Sequence, residues 1–133
     1  MNHTETVMRH AADNIRILAV SMVEKAKSGH PGGAMGGADF INVLYSEFLI
    51  HDPKNPSWEC RDRFFLDPGH MSPMLYAQLA LTGKFSLDDL KQFRQWGSPT
   101  PGHPEYNVER GIENTSGPLG QGHTYAVGAA IAA

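Results

Sequence analysis

Residues 115–133 read TSGPLGQGHTYAVGAAIAA, a glycine-rich turn that runs straight into small helix-forming residues. Such a turn ahead of a helix presents free backbone amides and the positive end of the helix dipole to an anion such as a diphosphate. The pattern is neither the dinucleotide fingerprint nor a P-loop, because no Gly-Lys-Ser/Thr ending comes after it. The small residues Ala126, Gly128, Ala129 and Ala130 support a second reading, a tight turn that lets a helix pack closely. The helix stops in mid-pattern, with no Gly, Asn or basic last turn to satisfy its final carbonyls. Residues 1–133 are therefore expected to be the front piece of a longer protein, with the remaining strands beyond Ala133.

Working back along the chain, Val7, Ala11, Ile15, Leu18 and Met22 recur at helical spacing, which predicts one long amphipathic helix over 4–27. Lys25 and Lys27 in its last turn and Gly29 just past it form a stop. A second helix is predicted over 34–49, with Ala38, Ile41, Leu44 or Tyr45, and Phe48 as its apolar stripe. His51–Pro56 is a turn, since its two prolines cannot continue a helix. Phe64, Phe65 and Leu66 suit a brief buried strand. Ser72 followed by Pro73 reads as an N-cap and first helical position, opening a helix to about Thr82. Ser86 and Asp89 have capping-box spacing before a short helix ending near Trp96. Residues 99–104 must be extended or turning.

Composition removes several functions. Eleven Lys+Arg against 14 Asp+Glu give a net charge of −3, the wrong balance for a nucleic-acid binder of the usual basic kind. No apolar run approaches the ~20 residues of a membrane span. The N-terminus lacks a signal-peptide apolar segment, so a cytoplasmic location is expected. One cysteine, Cys60, leaves no intrachain disulfide and no cysteine-based metal cage.

Four of the seven histidines directly follow a glycine: His30, His70, His103 and His123. Chance adjacency at this composition gives ~0.7 such pairs. All four lie at predicted loop ends, where glycine permits a tight turn and the imidazole is presented outward. Histidine exchanges protons near neutrality and hydrogen-bonds hydroxyls and phosphates. A loop histidine taken singly is more often solvated or structural. No His-x3-His spacing supports zinc. His3, His10 and His51 carry no neighbouring signal and read as structural.

Taken in order, Ser28-Gly-His-Pro-Gly-Gly33, Arg61-Asp-Arg-Phe-Phe-Leu66 leading to Gly69-His70, Pro101-Gly-His-Pro-Glu105 and Thr115-Ser-Gly-Pro-Leu-Gly-Gln-Gly122 form a set. From about residue 10 to 133 the chain resembles the N-terminal part of the transketolases, transferases that use thiamine diphosphate. The resemblance implies an α/β fold: the start of a diphosphate-binding domain with a mostly parallel sheet flanked by helices, helix-rich in this portion. It implies reversible transfer of a two-carbon ketol unit from a ketose phosphate to an aldose phosphate, in the pentose phosphate pathway. Matched by motif, His30 and His103 would contact the substrate's carbonyl and hydroxyls, and His70 would lie by the diphosphate and thiazolium. Gly117, Pro118 and Leu119 would line the cofactor, Gly117 near the diphosphate and Leu119 against the rings.

The resemblance also implies a homodimer and a Mg2+ or Ca2+ ion whose ligands come after residue 133, so an isolated 133-residue piece should be inactive. Two positions depart from the family pattern. Asp67-Pro68 stands where a serine and a variable residue are common, and His123 stands where Ile or Leu is common. His123 therefore either approaches the cofactor pocket or sits on the first helical turn. Deoxyxylulose-phosphate synthase is disfavoured because its pattern lacks Gly-Pro-Leu-Gly-Gln-Gly. Dihydroxyacetone synthase and the N-terminal subunit of a split transketolase share these motifs and remain alternatives.

Overall fold

The computed structural model describes residues 3–133; Met1, Asn2 and the side chain of His3 lie outside the described residues. Helix α1 spans His3–Ala26, α2 Pro31–Gly36 and α3 Ala38–Val43, the last continuing into a π-type turn at Leu44–Phe48. Helix α4 covers Ser72–Leu81, α5 Leu87–Lys91 and α6 Gln121–Ala132, with single 3-10 turns at Gly69–Met71 and Val108–Arg110.

Helix α4 is the centre. Its residues 72–79 are all buried, and α1, α2 and α3 pack against it. A helix that is apolar most of the way round has nowhere to go but inside. Ile15, Met22, Ile41, Leu75, Tyr76 and Phe93 belong to one core cluster, each buried side chain contributing about 1.5–3 kcal/mol. Glycine lets α2 and α3 approach α4 closely: a β-carbon on Gly37 would lie 2.5 Å from Met74 Sδ.

Several expectations need correction. The buried stripe of α1 is Ala12, Ile15, Ala19 and Met22, while Val7 is half exposed. The predicted stripe lies partly off this face, because α4 covers only one side of the helix. The second helix starts at Pro31 rather than near 34, since proline suits a first helical turn, and Gly37 breaks it in two. Phe48, predicted to be in the stripe, is exposed where the helix widens into the π-type turn. Ser72 is not the N-cap of α4; Met71 is, and the Ser72 hydroxyl bonds the carbonyl of Gly102 instead. The capping box forms as predicted, with Ser86 Oγ accepting from Asp89 N, but α5 ends at Lys91, short of Trp96.

Phe64–Leu66 is not a strand. Among the described residues the only β-pairing is an isolated antiparallel bridge between Asn107 and Ile112. The buried backbone of Leu66 is satisfied instead by a side chain: Leu66 N donates to Asn114 Oδ1 (3.0 Å) and Asn114 Nδ2 donates to Leu66 O (3.2 Å). One amide therefore does what a neighbouring strand would do. Asn114→Ala strands both groups, and a loss of about 2 kcal/mol is expected in denaturant unfolding. An unchanged midpoint would count against this pairing.

Candidate functional site

His30 occupies the turn between α1 and α2. α1 stops because Lys27 (φ 51°) and Gly29 (φ 132°) turn left-handed, and Pro31 then opens α2 with His30 at its N-cap. Gly29 is doubly required: besides its φ, a β-carbon there would lie 3.1 Å from Val23 and 3.2 Å from Phe93. His70 sits in the 3-10 turn Gly69–Met71, after a cis Asp67–Pro68 bond. The two imidazoles meet, their ring centroids 4.7 Å apart at 44°.

His103 is carried by a loop pinned to α4. Ser72 Oγ donates to Gly102 O (2.7 Å) and Tyr76 Oη donates to Pro101 O (2.8 Å). Partial burial, and then the positive charge of Arg94, hold the His103 imidazole below its ordinary range, with smaller contributions from His70 and His30. It is therefore largely neutral at pH 7 and able to accept a proton. In acid this works against stability. The unfolded chain takes up the proton first, so His103 opposes folding increasingly as pH falls from its ordinary pKa through the depressed one. Ser28, Arg94, Trp96, His103 and Glu105 border an open hollow of about 840 Å³.

The glycine turn is tied to both histidine loops. Ser116 N donates to the carbonyl of buried Pro104 (3.1 Å), the residue after His103. A β-carbon on Gly69 would lie 2.8 Å from Ser116 Oγ, so the backbone before His70 touches the residue before Gly117. Gly117 borders open space, Pro118 is exposed and Leu119 is 74% exposed, leaving the turn and its apolar side chain accessible. Behind it, α6 is seated on the Leu66–Asp67 segment: a β-carbon on Gly122 would lie 2.7 Å from Leu66 O.

His123 lies in the first turn of α6. Its Nδ1 lies 2.5 Å from Asp67 Oδ2, with the ring mostly exposed, and Asp67 Oδ1 accepts from Gly120 N (3.2 Å). The two departures from the family pattern thus meet one another. His51 hydrogen-bonds Leu49 O and packs edge-on to Tyr45, a structural role, and His10 is exposed.

The site can be tested for a diphosphate cofactor on its own features. Ser116 Oγ is buried with no hydrogen-bond partner, immediately before the open turn at Gly117. The first amides of a 12-residue helix come after that turn. An orphaned hydroxyl, the positive end of a helix and nearby imidazoles are groups an anionic ligand needs, and the residues fit. No cluster of three His, Cys, Asp or Glu side chains suited to a metal occurs among the described residues. No helix among them is long and apolar enough to cross a membrane. Arg94, Asp67 and Ser116 were not legible as site residues. The one available signal was Arg94, the sole Lys or Arg between Lys91 and Arg110, just ahead of a Gly-His-Pro unit.

A family model described as "Transketolase, thiamine diphosphate binding domain" matches residues 7–133, which places the chain in the class of thiamine diphosphate-binding domains. Transketolase 1 of Pasteurella multocida (strain Pm70) is 57% identical over 125 residues, 93% of this chain and 19% of that protein. Transketolase of Geobacillus stearothermophilus is 56% identical over 123 residues, 92% of this chain and 18% of that protein. Among solved structures, transketolase from Leishmania mexicana superposes with a TM-score of 0.89 at 48% identity, covering 94% of this chain and 19% of that one. The chain belongs to the transketolase family and matches its thiamine diphosphate-binding domain. It spans about a fifth of the length of the relatives it matches.

Proposed function

We propose that this chain supplies part of the active site of a transketolase, which reversibly moves a two-carbon ketol unit from a ketose phosphate to an aldose phosphate. The observation that carries the reading is the meeting of His30 and His70, with His103 in electrostatic reach, beside an accessible glycine turn. A transketolase from Pichia stipitis, 42% identical to this chain, has been solved in complex with sedoheptulose 7-phosphate. A mutant form of transketolase from the same organism was solved with fructose 6-phosphate. Sugar phosphates are the substrate class carried over here.

Thiamine diphosphate, when bound, supplies a nucleophilic thiazolium carbon and an electron sink for carbon–carbon cleavage. The chain's own residues bind it, orient the substrate and move protons. Gly117 and His70 would hold the diphosphate end, and Pro118 and Leu119 would give an apolar surface to the rings. His30 donates a hydrogen bond to the substrate carbonyl or an adjacent hydroxyl, orienting it. His103, neutral at pH 7, accepts a hydroxyl proton at its free ring nitrogen and returns it in the reverse step. A Mg2+ or Ca2+ ion held by residues after Ala133, a mostly parallel sheet contributed from outside this segment, and a homodimer complete the proposal.

The test is ketol transfer between a ketose phosphate and an aldose phosphate by the full-length protein carrying this segment. Activity should require added thiamine diphosphate, and His103→Ala should lower kcat/KM by roughly 10²–10⁴-fold, the usual worth of a positioned acid–base group. Absence of transfer by the cofactor-loaded protein would overturn the proposal, as would ketol transfer by residues 1–133 alone.

A further inference from the structure

The loops of His30 and His103 are distant in sequence, and one side chain touches both. Arg94 Nη1 donates to Ser28 Oγ (2.9 Å), in the turn that delivers His30. The same guanidinium lies against Gly102: a β-carbon there would be 2.7 Å from Arg94 Nε and 3.0 Å from Cζ. Nε is buried and has no hydrogen-bond partner, so packing against Gly102 holds this part of the side chain. Below it, the Phe93 ring lies 5.7 Å from Arg94 Cζ and packs under Gly29.

The backbone is fixed as firmly. Arg94 is left-handed at φ 61°, a conformation that costs an arginine free energy. Its amide donates to Thr100 O (3.0 Å), and buried Thr100 in turn donates from Oγ1 to Asp89 O (2.9 Å). An arginine held in a costly conformation with its head between two loops is built for placement.

We propose that Arg94 is a positioning residue: its guanidinium clamps the Ser28–His30 turn to the Gly102–His103 turn and so sets the spacing of the two imidazoles. The catalytic meaning of the clamp rests on the transketolase reading, but the clamp itself can be tested without cofactor. The charged and titratable groups acting on His103 are Arg94, His70 and His30, and Glu105 lines the same hollow.

The experiment is an NMR titration of the histidine ring protons in the full chain, without cofactor, for wild type, R94N, G102A and the double variant. Asparagine tolerates the left-handed backbone while removing the guanidinium. R94N should raise the His103 midpoint, because the positive charge that disfavours the protonated ring is removed. G102A should displace the guanidinium and shift His103 in the same direction. In the R94N background G102A should add little, because the group it collides with is gone. Either an unmoved His103 midpoint in R94N or fully additive shifts would overturn the clamp. In the full-length protein R94N should lower kcat/KM for ketol transfer roughly tenfold or more. Lack of transfer by the wild type would count against the transketolase reading and leave the titration to judge Arg94.

Discussion

Gly69→Ala is expected to lower the stability of the chain by about 3 kcal/mol, the upper end for overpacking a buried position. For a domain of this size that is roughly 10 °C in melting temperature. The new methyl group would meet Ser116 at 2.8 Å from Oγ and 2.9 Å from both its carbonyl carbon and oxygen. A hydroxyl can rotate away, but a backbone carbonyl cannot, so one loop must retreat from the other. The loops concerned carry His70 and Gly117. If both hold the diphosphate end of thiamine diphosphate as proposed, affinity falls together with stability in the full-length protein. Calorimetry measures the first and titration of thiamine diphosphate the second. A melting temperature within a degree of wild type would show that the two segments do not lie this close.

Glu113→Ala is expected to cost about 3 kcal/mol or more, measured by denaturant unfolding. Arg61 Nε donates to Glu113 Oε1 (2.7 Å) and Arg61 Nη2 to Oε2 (2.9 Å), a two-pronged pair with each side chain only 10% exposed. Arg61 Nη1 also donates to Trp58 O (2.8 Å), anchoring the segment that leads to Phe64–Leu66. Removing the carboxylate leaves a shielded guanidinium without its counter-charge. Replacing both partners with apolar residues, Arg61→Met with Glu113→Leu, should recover most of the loss, because neither charge is then left buried. A double variant no better than Glu113→Ala would argue that Arg61 is needed for its Trp58 bond rather than its charge.

How far the fold can be read from sequence depends on how local each determinant is. The capping box at Ser86 and Asp89 was legible because four consecutive residues contain all of it. The strand expected at Phe64–Leu66 was not, because the group that pairs with Leu66 is a side-chain amide 48 residues away. The excess of Gly-His units pointed to His30, His70 and His103, yet nothing local says that the first two rings meet. Arg94 is silent in sequence for the same reason: its partners, Ser28 and Gly102, come from two separate loops. The pairing of Asp67 with His123 spans 56 residues, and in sequence each is an isolated oddity.

Helix α6 faces the rest of the chain along one side, where Ala126, Ala129 and Ala133 border a hollow shared with Arg61, Arg63 and Phe65. Gly122 is its only buried residue, while Val127 and Ile131 stand out from the body. Twelve residues make a rod about 18 Å long, its first turn fixed where Asp67 bonds Gly120 and His123. A surface covering Val127 and Ile131 would bear on a helix whose first turn is continuous with the glycine turn at 117–120, so the seating of one constrains the other.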